Sequence, residues 1–148
     1  MGTSARDFFN QEQQKAITKA IADAELKTSG EIRVHIENTL KGDVLDRAAY
    51  LFKQLGMSRT EHRNGVLIYL AVRSRQFAIL GDKGIHKAVP ENFWDSIKHQ
   101  MLSDFRENNF TGGLITAITA AGEQLKKHFP HHAYDKNELP DDISFGKN

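Results

Sequence analysis

Between Arg63 and Ile85 the chain reads RNGVLIYLAVRSRQFAILGDKGI, two apolar runs separated by four polar residues. Val66 to Val72 is continuously apolar, as a strand covered on both faces must be. Phe77 to Leu80 is the second run, and the Gly81-Asp82 pair ends it. Two short apolar runs joined across Arg73-Ser74-Arg75 predict an antiparallel strand pair at the centre of a fold. Upstream, residues 31–37 alternate, with Ile32, Val34 and Ile36 set against Arg33, His35 and Glu37. Period two predicts a strand with one buried face at or near the margin of a sheet, and leaves His35 exposed on its polar face.

Helical spacing fills the rest. Ala16, Ile17, Ala20, Ile21 and Ala24 recur on one side of a helix over 10–28, with Asn10 as N-cap, Gln13 three residues on, and Gly30 as the stop. Val44, Ala48, Leu51, Phe52 and Leu55 mark a helix over 43–55 that Asp43 opens and Gly56 ends. A polar loop covers 57–64. Pro90 fits the first turn of a helix reaching Arg106, along which Phe93, Ile97, Met101 and Phe105 step by four. Thr111 caps a last helix ending near His128. From Pro130 the chain is an irregular tail, so residues 1–130 form one domain and 131–148 a tail that is either docked or disordered. Strand, helix, strand from 31 to 72 is a βαβ unit, which makes parallel neighbours. The architecture expected is α/β: a three-layer α/β/α sandwich around a small mixed sheet.

Composition narrows the function classes. A chain of 148 residues with 39% hydrophobic and 26% charged residues is an ordinary globular one. Its net charge of +1 gives no electrostatic case for nucleic acid or an anionic membrane. Cysteine is absent, which removes thiol catalysis, disulfides and Cys-built zinc sites. No apolar run of membrane-spanning length occurs and MGTSARDFF lacks a signal-peptide core, so a cytoplasmic location is expected.

The topology places candidate chemistry. If the first two strands are parallel and the third antiparallel, the start of strand one (Glu31), the start of strand two (Asn64) and the end of strand three (Asp82) share one sheet edge. Two carboxylates and an amide oxygen are hard ligands suited to Ca²⁺ or Mg²⁺. The competing reading is that Glu31 and Asp82 cap turns or pair with Arg63 and Lys83. Asp104, Glu107 and Asn109, in SDFRENN, are further oxygen donors between the last two helices. The tail residues Asp135, Asn137, Glu138, Asp141 and Asp142 begin like a calcium loop, but Pro140 stands where an EF-hand needs glycine. No nucleotide-binding glycine loop, HExxH or GxSxG motif is present. The turn Arg73-Ser74-Arg75 reads as solvated, with phosphate binding the sharper alternative.

Three segments, TSGEIRVHIE, RNGVLIYLAVRSRQFAILGDKGI and FRENNFTGGL, together resemble the TPM domain family of bacterial proteins and of a thylakoid lumen protein linked to photosystem II repair. The resemblance implies an α/β/α sandwich. It also implies either of two properties reported for members: divalent-cation binding or acid phosphatase activity. Glu31, in Gly-Glu-Ile, and Asp82, in Gly-Asp, match the family's acidic positions. Where many members have Gly-Asp-Tyr, this chain has Asn108-Asn109-Phe110, which loses a carboxylate.

The expectation is a non-enzymatic module binding Ca²⁺ or Mg²⁺ through Glu31, Asn64 and Asp82, with Asp104 as an extra ligand and a protein as a further partner. The alternatives are a metal-assisted phosphatase, with Arg63 or Lys83 offsetting phosphoryl charge, and a ligand-free interaction domain.

Overall fold

The computed structural model describes residues 5–131 and 143–146. In chain order the elements are α1 (Gln11–Glu25), β1 (Glu31–Glu37), α2 (Val44–Gln54), β2 (Gly65–Ala71), β3 (Gln76–Gly81), α3 (Lys83–Ala88), α4 (Phe93–Arg106), α5 (Phe110–His128) and β4 (Ser144–Phe145). The sheet order is β3-β2-β1-β4. β1 runs parallel to β2 from Glu31↔Gly65 to Glu37↔Ala71, and β2 runs antiparallel to β3.

The alternation of β1 sorts the core into two layers. Ile32, Val34 and Ile36 join Val66, Ile68 and Leu70 under α1, α4 and α5, where Ile17, Ile21, Met101, Leu114, Ile118 and Leu125 are buried. On the other face Leu67, Tyr69, Ala71 and Ala78 pack on Ala48, Leu51 and Met57 from α2 and the turn after it. β2 is apolar throughout because it lies between these two layers and is buried at every position. The result is the three-layer sandwich that the sequence implies.

Caps set most of the boundaries. Asn10 and Gln13 form a reciprocal capping box on α1. Asp43 accepts hydrogen bonds from the Leu45 and Asp46 amides at the start of α2. Three expectations need correction. α5 is capped by Asn109, not Thr111: the Asn109 side-chain oxygen accepts from the Gly112 amide, and Asn108 at φ 61° turns the chain into it. α4 begins at Phe93 because Pro90 to Asn92 form a lead-in turn, with the Phe93 amide donating to the Pro90 carbonyl. α3 is a short helix that the Gly-Asp exit concealed; it forms because the Asp82 carboxylate caps the Lys83 amide.

The tail contributes a strand. β4 lies parallel to β1, with His35↔Ser144 and Ile36↔Phe145 in register, and the Gly146 amide donates to the Ile36 carbonyl. β1 is therefore flanked on both sides. Asp135, Asn137, Glu138, Asp141 and Asp142 lie outside the described residues.

Candidate functional site

Register decides what the acidic residues can do together. Glu31 stands beside Gly65 on β2, and the amide of Asp82 donates to the Gly65 carbonyl on the other side. The three residues form one row across the sheet, with Glu31 and Asp82 on the α2 face. Their Cα atoms are about 10 Å apart, twice the spacing of neighbouring strands. Gly65 between them has no side chain, and the Met57 carbonyl oxygen lies 3.1 Å from where its Cβ would be. Glu31 is 2% exposed and Asp82 8%. Two buried carboxylates thus flank a glycine roofed by a backbone carbonyl.

Asn64 shares this end of the sheet. Its carbonyl faces the Glu31 amide at 3.4 Å, and its Nδ2 donates to Ser29 Oγ at 3.3 Å. Its Oδ1 is buried with no hydrogen-bond partner among the described residues. Asp82 is engaged: Arg63 Nε donates to its Oδ2 at 2.7 Å and Arg63 Nη2 to its Oδ1 at 3.1 Å, while Oδ1 also caps Lys83. Arg63 reaches it from a left-handed backbone, φ 51°, and its carbonyl accepts from the Gly84 amide at 2.8 Å. Arg63 thus ties segments 60–65 and 81–84 together through its side chain and its carbonyl, beside the bond from the Asp82 amide to the Gly65 carbonyl.

Asp104 does not join this group. α4 runs antiparallel to β3, with Trp94 lying where a Gly81 side chain would be and Phe105 against Phe77. Asp104 is therefore at the far end of the sheet, about 17 Å along β3 from Asp82 at ~3.4 Å per residue. Its carbonyl accepts from the Glu107 and Asn109 amides. Among the described residues no set of three or more His, Asp or Glu side chains is grouped so as to hold a metal ion.

A second polar cluster lies on the α2 face, and sequence reasoning missed it. His35 is 4% exposed, not solvated, and Glu37 is 1% exposed. The Glu37 carboxylate accepts from Tyr69 Oη at 2.6 Å and from both Nε and Nη2 of Arg47 on α2. His35 Nε2 lies 3.3 Å from the same carboxylate, and Nδ1 lies 2.9 Å from Ser144 Oγ on β4. A carboxylate can only accept, so Nε2 carries the proton and Nδ1 accepts from the serine. Burial pushes the Glu37 pKa up, but the hydrogen bonds from Arg47 and Tyr69 outweigh it and leave the value lowered. Burial holds His35 below its ordinary value despite Glu37, and burial with the Glu37 contact raises Tyr69. Every oxygen of Glu37 is taken, and Tyr69 is fully buried. The cluster pins α2 and β4 to the sheet. The only hint in the sequence was the i, i+2 spacing of His35 and Glu37, which shows a shared face but not its cover.

A sequence model of the TPM domain matches residues 3–124. The chain belongs to that family. The solution structure of the BA42 protein from the psychrophilic bacterium Bizionia argentinensis is 48% identical to it, with a TM-score of 0.87 over 94% of this chain and 96% of that one. An N-terminal domain from P. gingivalis (21% identity, TM-score 0.69, 84% of this chain and 82% of that one) shares the fold. So does the N-terminal domain of cg2496 from Corynebacterium glutamicum (16%, 0.63, 79% and 74%). No curated protein matches the chain. Among the described residues no helix is long and apolar enough to cross a membrane.

Proposed function

We propose that this TPM domain acts by holding a divalent cation, Ca²⁺ or Mg²⁺, at the end of the sheet where Glu31, Asn64 and Asp82 meet, and not by catalysis. The observation that carries the reading is the row Glu31, Gly65, Asp82. It sets two buried carboxylates either side of a glycine, under the Met57 carbonyl. Carboxylates and carbonyls are the ligands these ions take, at ~2.3–2.6 Å for Ca²⁺. The unpartnered Asn64 Oδ1 supplies one more oxygen at the same end. Arg63 neutralises Asp82 in the ion-free protein and, being partly exposed, moves to solvent when the ion takes the carboxylate. Segments 60–65 and 81–84 then close on the ion, and that surface is what a protein partner reads.

Titrating Ca²⁺ and Mg²⁺ while following backbone amide shifts tests this. Shifts at residues 29–31, 57, 63–65 and 81–85, abolished in Asp82→Asn, are expected, together with a higher melting temperature. Silence at those residues at millimolar ion would end the cation reading. An aryl phosphate hydrolysed by the wild type but not by Asp82→Ala would overturn its non-catalytic half.

A further inference from the structure

At the opposite end of the sheet two segments come together: the hairpin turn carrying Arg75 and the C-terminal end of α4, which closes on Arg106. Between them is a cleft of about 250 Å³. Leu70 and the rings of Phe77, Phe105 and Phe110 form its apolar walls, and Arg75 and Arg106 stand at its mouth. The rings are ordered against one another. Phe77 meets Phe105 edge-on at 5.2 Å, and Phe105 stacks on Phe110 at 5.2 Å. Leu102, 40% exposed, extends the apolar wall to the surface.

Neither guanidinium makes a hydrogen bond or ion pair with another described residue, in contrast to Arg47 and Arg63. Both lie on the solvent-exposed rim. The ends of two helices meet here, the C-terminus of α4 and the N-terminus of α5, and their opposed dipoles offset each other. The arginines therefore set the preference for an anion. Arg75 (φ 53°) and Asn108 (φ 61°), two of the three non-glycine residues in the left-handed region among those described, both line the cleft. The chain accepts unfavourable backbone at both walls of one cavity.

We propose that this cleft binds a small aromatic carboxylate, its ring among Phe77, Phe105 and Phe110 and its carboxylate between Arg75 and Arg106. The volume fits one ring and a short side chain, and falls below the ~300–1,000 Å³ of sites for larger ligands. Asp104 and Glu107, on and just after the last turn of α4, bring two negative charges close by, which selects a monoanion over a dianionic phosphate ester. Guanidinium forks match a carboxylate in geometry, and an aromatic ring satisfies the walls without a polar partner.

The test uses phenylacetate, with phenylacetamide as its uncharged counterpart and phenyl phosphate as the dianion, each titrated into the intact protein with amide shifts as readout. Phenylacetate is expected to move Leu70, Arg75, Phe77, Leu102, Arg106 and Asn108, and to bind ~3- to 10-fold more tightly than the amide, as two solvent-exposed charge pairs allow. The double variant Arg75→Gln/Arg106→Gln, altered only at exposed side chains, should erase that ratio. Equal affinity for acid and amide, shifts outside the cleft, or no binding of phenylacetate would each overturn the proposal. Tighter binding of phenyl phosphate at the same residues would overturn the choice of a carboxylate.

Discussion

Replacing Gly84 with alanine puts local propensity against tertiary packing. Gly84 is the second residue of α3, where alanine is favoured over glycine by ~1 kcal/mol in a helix. Propensity alone predicts a more stable protein. The structure predicts the reverse, because a Cβ at residue 84 would lie 2.2 Å from the His62 carbonyl oxygen and 2.6 Å from that of Arg63. Both are backbone atoms and cannot rotate away, so segment 60–65 must retreat by roughly 1 Å to restore a normal contact. That movement breaks the 2.8 Å bond from the Gly84 amide to the Arg63 carbonyl, a loss of ~0.5–1.5 kcal/mol. The strain of overpacking adds about 1–3 kcal/mol, and the Arg63–Asp82 pair is disturbed as well. Set against the helical gain, the net destabilisation is about 0.5–3.5 kcal/mol, and melting falls by roughly 2–12 °C for a domain of this size. Urea and thermal unfolding of Gly84→Ala measure it directly. A melting temperature equal to or above the wild type would refute the packing argument and with it the tie between the two loops.

Tyr69→Phe removes a buried donor to Glu37 and should cost about 2 kcal/mol in urea unfolding at neutral pH, the usual worth of a hydrogen bond to a charged group; a loss under ~0.5 kcal/mol would mean that the cluster repacks without it. Stability should decline with acid over two pH windows. His35 has a folded pKa below its ordinary 6.5, so the unfolded chain binds the proton first and stability declines as pH falls below 6.5. Glu37, lowered from 4.5, adds a second decline below that value. Unfolding free energy measured from pH 7.5 to 4 should show both limbs, and His35→Gln should flatten the first; stability that rises between pH 6.5 and 5 would contradict the sign.

What the sequence determined was local. Hydrophobic period, cap residues and strand order are written into neighbouring positions, and they sufficed for the β1-α2-β2-β3 core, for the three layers, and for bringing Glu31, Asn64 and Asp82 to one end of the sheet. What it could not decide was which polar residues are covered and by what, since that depends on segments remote in the chain. His35 and Glu37 look solvated until Arg47, Tyr69 and Ser144 close over them. Ser144 lies 109 residues from His35, and two residues of β4 carry no periodicity from which a strand could be read. Asp104 reads like a neighbour of the acidic group until the direction of α4 along β3 sends it to the other end. The same direction brings Arg106 to Arg75 and makes a cleft from two turns that, taken singly, are only polar loops. Periodicity is fixed by the few residues either side of a position, whereas burial and the pairing of charges are fixed by whatever the fold lays on top of it.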